Sequence, residues 1–201
     1  RGFAVITGEI GSGKTTICRT LLERLNPGTK VAMITNTYLS PKELLSYTLE
    51  EFGVTFNGGE KSNLLSCLKK FLVEQLYLDF NVVLIIDEAQ NLSLNVLEEI
   101  RMLSNLETEK KKMIQIILTG QPALKDKLAS KELDQLRQRI NVQYHIPPLN
   151  RINNERYINH RLEVASINGK RKVEFTPQAI DKIYAHSQGI PRVINMVCNN
   201  A

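Results

Sequence analysis

The sequence predicts an α/β fold: a five-stranded parallel sheet flanked by helices, followed by a small helical C-terminal domain. Three observations carry this. Apolar runs of strand length alternate with segments of helical periodicity. One run, Val82-Val83-Leu84-Ile85-Ile86, is apolar throughout, as a parallel strand buried on both faces should be. After the diproline Pro147-Pro148 the pattern turns purely helical, so the expected division is 1–148 and 149–201.

The first strand is Phe3-Ala4-Val5-Ile6-Thr7. Ile17, Cys18, Leu21, Leu22 and Leu25 then form an apolar stripe at helical spacing, stopped by Asn26-Pro27-Gly28. Val31–Thr35 is the second strand, and Ser40-Pro41 starts a helix with proline in its first turn. That helix carries Leu44, Leu45, Leu49 and Phe52. Asn57-Gly58-Gly59 separates it from another, marked by Leu64, Leu65, Leu68, Phe71, Leu72 and Leu76. The third strand is Asn81–Ile86, the fourth Met113–Thr119 and the fifth Asn141–Ile146. Beyond Pro148, Tyr157, Ile158, Leu162 and Ala165 mark one helix, and Thr176-Pro177 caps and opens a second. Gly189 and Pro191 set off a last one. The chain opens two residues before its first strand and stops inside a helical pattern, which reads as a piece of a longer chain.

Between the first strand and the first helix lies Gly8-Glu9-Ile10-Gly11-Ser12-Gly13-Lys14-Thr15, which fits G-x-x-x-x-G-K-[ST] at every fixed position. Glycines let the backbone wrap so that successive N–H groups point at a phosphate. The helix start behind them adds the positive end of its dipole. Lys14 is expected to reach the β- and γ-phosphates, the Thr15 hydroxyl to ligate Mg²⁺, and Thr16 to complete the binding stretch. The chain is therefore expected to bind a nucleoside triphosphate, with Mg²⁺ arriving alongside it.

Composition narrows the class. Hydrophobic residues make up 42% and charged residues 23%, ordinary for a globular protein, and no apolar run reaches membrane-spanning length. Cys18, Cys67 and Cys198 are odd in number and far apart, which predicts small buried hydrophobes in a reducing compartment, not a disulfide framework. His145, His160 and His186 show no ligand spacing with them. Residues 1–149 hold 18 Lys/Arg against 17 Asp/Glu, while residues 150–201 hold 8 against 4. The basic C-terminal part suits either a solvated face with arginines aimed at nucleotide phosphates or contacts to nucleic acid or anionic lipid.

Asp87-Glu88 closes the third strand, where open α/β sheets put their ligand crevice. Asp87 is expected to hold the Mg²⁺ and Glu88 to orient the attacking water. Thr119, or Gln121 just beyond it, is the polar group expected near that water or the γ-phosphate. Charge stabilisation calls for arginines as well; Arg137, Arg139 and Arg192 are the candidates, though each taken alone reads as a solvated surface residue.

Taken together, the chain resembles the AAA+ division of P-loop ATPases, and within it the general secretion pathway A (ExeA/GspA) family. The segments carrying the resemblance are VITGEIGSGKTT, LIIDEAQNLS, LEEIRMLSNLET, ILTGQPAL, LRQRI, PPL, YINHRL and GIPRVIN. The resemblance implies a P-loop NTPase core of the AAA+ type with a helical lid. Gly8–Thr15 becomes Walker A, and Asp87-Glu88 becomes Walker B with its catalytic glutamate. Sensor 1 falls in Thr119–Gln121 and the sensor-2 arginine on Arg192. Arg139, or else Arg137, matches the region that supplies an arginine finger to a neighbouring subunit. The implied activity is Mg²⁺-dependent hydrolysis of ATP to ADP and phosphate, in a homo-oligomer. The implied place is the cytoplasmic domain of an inner-membrane-anchored bacterial protein that assists assembly of the type II secretion machinery and meets an inner-membrane partner there. The rival is a DNA-associated ATPase of the transposition-regulator or replication-initiator kind.

Overall fold

The computed structural model describes residues 2–108, 111–166 and 173–200. It falls into two compact units, Arg1–Thr7 with Lys14–His145, and Gly8–Gly13 with Ile146–Ala201.

The first unit is built on the expected sheet. Strands β1 (Phe3–Gly8), β2 (Lys30–Ile34), β3 (Val82–Ile86), β4 (Gln115–Gly120) and β5 (Val142–Ile146) lie in the order β2-β3-β4-β1-β5. The pairs β2–β3, β3–β4 and β1–β4 are parallel, with Ile34 opposite Ile86, Ile86 opposite Leu118, and Ile6 opposite Thr119. All five residues of β3 are buried, as its unbroken apolar run requires.

The period-2 pattern of the strands divides the core between the two sheet faces. Phe3, Val5, Ala32, Ile34, Val82, Leu84, Ile86, Ile116 and Leu118 point into the larger cluster. Helices α2 (Pro41–Glu51), α3 (Lys61–Tyr77) and α4 (Leu94–Leu103) fill that face, joined by α5 (Ala123–Leu128) and α6 (Asp134–Arg137). Val83 and Ile85 point the other way, onto Cys18 of α1 (Lys14–Glu23).

Local signals behave as chemistry requires. Ser40 accepts from the Glu43 N–H while the Glu43 carboxylate accepts from the Ser40 N–H, a full capping box ahead of Pro41. The first-helix stripe is buried only in part. Cys18 is fully buried and Leu22 and Leu25 pack against the sheet, but Ile17 is 44% and Leu21 38% exposed. Among the described residues α1 is the one helix contributing to the apolar cluster on its face, and Ile17 and Leu21 lie outside that cluster. The sequence pattern also leaves α4, α5 and α6 unassigned; the last two, of six and four residues, are too short to display a helical period. Of the cysteines only Cys18 is buried; Cys67 and Cys198 are half-buried, and all three are free thiols.

In the second unit α7 (Arg151–Val164), α8 (Pro177–Ser187) and α9 (Pro191–Asn199) pack around Ile158, Ile183 and Ile194. Asn150 caps α7 and Thr176 caps α8, the latter ahead of Pro177. Gly189 follows α8 at φ +74°, its carbonyl accepting from the Leu149 N–H at 2.8 Å. A β-carbon there would overlap the Leu149 backbone, so glycine is required twice over. Lys170, Arg171 and Lys172, three of the eight cations counted for the C-terminal part, lie outside the described residues. Among the described residues no helix is long and apolar enough to cross a membrane.

Candidate active site

In a parallel sheet all strands end on one edge, and the first unit gathers its polar residues there. The Asp87 N–H donates to the Ile34 carbonyl at 2.9 Å, extending the β2–β3 ladder one step and fixing the carboxylate at the strand end. Asp87 Oδ2 accepts from Thr15 Oγ1 at 2.6 Å. Its Oδ1 accepts from Thr119 Oγ1 and, at 2.9 Å, from the Glu88 N–H. Asp87 is 5% exposed, Lys14 likewise 5%, and Thr119 fully buried.

Burial alone would raise the Asp87 carboxyl. Hydrogen bonds from Thr119, Thr15 and the Glu88 N–H, with the positive charge of Lys14, outweigh it and hold the group below the ordinary carboxylate range. The same negative charge adds to burial in pushing the Cys18 thiol up to about 11. Asp87 is thus a fixed anion. Thr15 and Asp87 bring a hydroxyl and a carboxylate oxygen together, the hard oxygen donors that Mg²⁺ takes, so these residues fit the ion.

Glu88 is built differently. Its backbone is left-handed, φ +52°, a conformation disfavoured for a side chain of this kind and found disproportionately at functional sites. It opens a single 3-10 turn, Ala89–Asn91. Its Oε2 accepts from Gln90 Nε2 at 2.6 Å and from Gln121 Nε2 at 3.3 Å. The Gln121 N–H donates in turn to Gln90 Oε1 at 3.0 Å. Lys127 of α5 donates from its ammonium to the carbonyls of Gln90 and, at 2.8 Å, Leu92.

The second unit holds Gly8–Gly13. Gly11 and Gly13 adopt φ +78° and +97°, and the Ser12 N–H closes a tight turn on the Glu9 carbonyl at 3.1 Å. Glu9 and Ile10 are exposed, whereas Ser12 is buried with no hydrogen-bond partner for its hydroxyl. Such an orphaned group fits a loop made to meet a ligand. The Arg192 N–H donates to the Gly11 carbonyl at 3.2 Å, and a β-carbon on Gly11 would strike the Arg192 side chain. Gly11 therefore serves both the turn and the approach of Arg192, whose side chain is exposed.

The sequence-derived candidates thus fall into three places. Lys14, Thr15, Asp87, Glu88, Thr119 and Gln121 share the carboxyl edge of the sheet, with Thr16 exposed on α1. Thr119 directs its proton to Asp87, which leaves Gln121 as the one of the pair whose side chain reaches Glu88. Gly8–Gly13 and Arg192 meet in the other unit. Arg137 and Arg139 lie in the first unit, outside the hydrogen-bonded group at the carboxyl edge. Arg137 pairs with Asp134 at 2.7 Å and donates to the Ala129 carbonyl at 3.3 Å. Arg139 borders a depression with Gly2, Phe3, Lys112 and Asn141, at the start of β1 and so at the opposite edge of the sheet from Asp87. Gln90 and Lys127 were not among the sequence candidates. Gln90, two residues after Glu88, was open to inspection; Lys127, 37 residues from its partner carbonyl, carried no signal.

Residues 1–128 match the model of a family described as AAA domain. The whole chain is 40% identical over 201 residues to general secretion pathway protein A of Aeromonas hydrophila, and spans 36% of that protein's length. Among solved structures, Cdc6p of Pyrobaculum aerophilum matches 97% of this chain and 53% of its own, with TM-score 0.72 and 18% identity. The ORC2 protein of Aeropyrum pernix in its ADP form matches 100% of this chain and 57% of its own, with TM-score 0.70 and 18% identity. At that identity these two bear on fold alone.

Proposed function

Since the chain belongs to the AAA domain family, with the fold of P-loop AAA+ ATPases, we propose that it binds ATP with Mg²⁺ and hydrolyses it to ADP and phosphate. The observation that carries this reading is the Thr15–Asp87–Thr119 hydrogen-bonded core. It ties the last residue of the phosphate-loop motif to the strand-end carboxylate that follows it in the predicted scheme.

In this reading the backbone of Gly8–Gly13, with the Ser12 hydroxyl, cradles the β-phosphate, and Lys14 reaches the β- and γ-phosphates. Thr15 and Asp87 hold Mg²⁺, which when bound neutralises charge on the phosphate oxygens. Glu88 orients the attacking water and takes its proton, and Gln121 sits beside it. Arg192 contacts phosphate from the same chain. Arg139, with Arg137 as the alternative, acts on the γ-phosphate of a neighbouring copy, which its place at the far edge of the sheet supports. The site is then complete only in an oligomer. Identity to general secretion pathway protein A over the full chain supports a finer reading: hydrolysis serves assembly of a type II secretion system, in the cytoplasmic domain of an inner-membrane-anchored protein.

Calorimetric titration tests the binding step. Lys14→Ala is expected to weaken MgATP binding by about 100-fold or more, on the scale of losing a charge-assisted contact, with an unchanged circular dichroism spectrum. Unchanged affinity would sink the assignment. The DNA-associated reading rests on the basic C-terminal part, and salt separates the two. Weak, sequence-blind duplex binding that vanishes near physiological salt is expected here; a sequence-selective nanomolar footprint would favour the rival.

A further inference from the structure

We infer that Gln90 is a positioning residue for Glu88, and that Lys127 holds the turn from which Gln90 acts. The inference rests on the reading of Glu88 as the water-orienting group and adds two residues to it.

The geometry is asymmetric in a way that has chemical content. Two side-chain amides, from Gln90 and Gln121, converge on the same carboxylate oxygen, Oε2. A carboxylate held by two donors at one oxygen cannot rotate freely, so its other oxygen, Oε1, keeps a fixed direction toward a water. Gln121 alone does not do this, since its bond is the longer, 3.3 Å against 2.6 Å. Gln90 also accepts from the Gln121 N–H through Oε1, so one amide sets both the Glu88 side chain and the backbone of its second donor.

Two features show that Gln90 itself is held. Lys127 places its ammonium on the carbonyls of Gln90 and Leu92, which keeps the single 3-10 turn Ala89–Asn91 closed. Gly120 packs against the Gln90 amide so closely that a β-carbon there would press on Gln90 Oε1 at 2.7 Å. The left-handed backbone of Glu88 makes this bracing necessary. A non-glycine residue at φ +52° persists only where its surroundings over-determine it, and Gln90, Gln121 and Lys127 supply those surroundings.

The test uses the intact protein and separates the hydrogen bond from mere bulk. Gln90→Met keeps the length of the side chain without donors, whereas Gln90→Glu keeps its shape but sets a second acid against Glu88. Both are expected to lower kcat for ATP hydrolysis, Met by about 10-fold to 100-fold and Glu by more, on the scale of mispositioned general-base catalysis, while KM and MgATP affinity stay within about twofold. A space-filling role would rank them the other way, with the isosteric Glu the milder. Lys127→Met is expected to cost kcat about 3-fold to 10-fold, again without a change in KM. An independent readout needs no turnover: the side-chain amide resonances of ¹⁵N-labelled Gln90 should move toward the free-amide position in Glu88→Ala.

The inference is overturned if Gln90→Met retains parental kcat, if KM rises in step with the fall in kcat, or if the Gln90 amide signals do not respond to Glu88→Ala. Failure of the underlying reading looks different. Glu88→Gln would then hydrolyse ATP at the parental rate, while the Gln90 amide signals still responded to Glu88→Ala.

Discussion

The two edges of the sheet are chemically opposite. At the carboxyl edge polar side chains are buried or half-buried and joined: Thr15, Thr119 and the Glu88 N–H all donate to Asp87, and two amides share one oxygen of Glu88. At the amino edge ion pairs lie at the surface, as with Lys111 on Asp79 at 2.6 Å, where Asp79 is 83% exposed, and Lys112 on Glu107. Buried networks fix groups in place because an unmade bond there is expensive, whereas exposed pairs contribute little. The carboxyl edge holds its polar groups in fixed places. The amino edge carries cations at its surface, Arg139 beside Lys112 among them.

Removing the cation that the amino edge is proposed to lend is the most severe way to break this contrast. Arg139→Ala in the intact protein is expected to lower turnover by about 10³-fold or more, as for an arginine finger, while MgATP affinity is kept. Mixing it with Glu88→Gln should restore activity at interfaces that pair a good Glu88 with a good Arg139. If mixtures stay inactive although light scattering confirms co-assembly, Arg137 is the next residue to replace.

A smaller effect sharpens the carboxyl edge. The Cys18 thiol, buried beneath it, keeps its proton up to about 11 in the folded chain, against 9.0 for an ordinary thiol. The neutral thiol is favoured by folding, so its contribution is intact below pH 9 and is lost as pH rises from 9 toward 11. The stability gap between the parent and Cys18→Ala, read from urea melts, should narrow by about 2 to 3 kcal/mol across that window. A gap independent of pH would mean that Cys18 titrates normally. The smallest effect belongs to the amino edge. Asp79, held below its ordinary range by the Lys111 hydrogen bond but fully in solvent, should be replaceable by Asn with no measurable change in Tm.

What the sequence made legible follows from the range of each interaction. The strands and the phosphate loop were readable because their determinants are contiguous: β3 is one apolar run, and the motif from Gly8 to Thr15 is one stretch. Asp87 and Glu88 were readable because a strand end is a position the chain itself marks. Gln121 could not be separated from Thr119, since the choice depends on which side chain turns toward Asp87. Lys127 was invisible because its role exists only once α5 lies beside the 3-10 turn. The exposure of Ile17 and Leu21 was missed for the converse reason: periodicity reports an apolar face and not what covers it.

The most direct test is Glu88→Gln, which preserves the shape of the side chain and the fixed Asp87 beside it while removing one charge. With MgATP affinity measured by calorimetry and turnover by phosphate release on the same preparation, binding should stay within about twofold and turnover should fall by about 100-fold or more, as for loss of a general base. Turnover near the parental rate, with binding intact, would contradict the account: the carboxyl edge would then hold nucleotide without Glu88 directing the water.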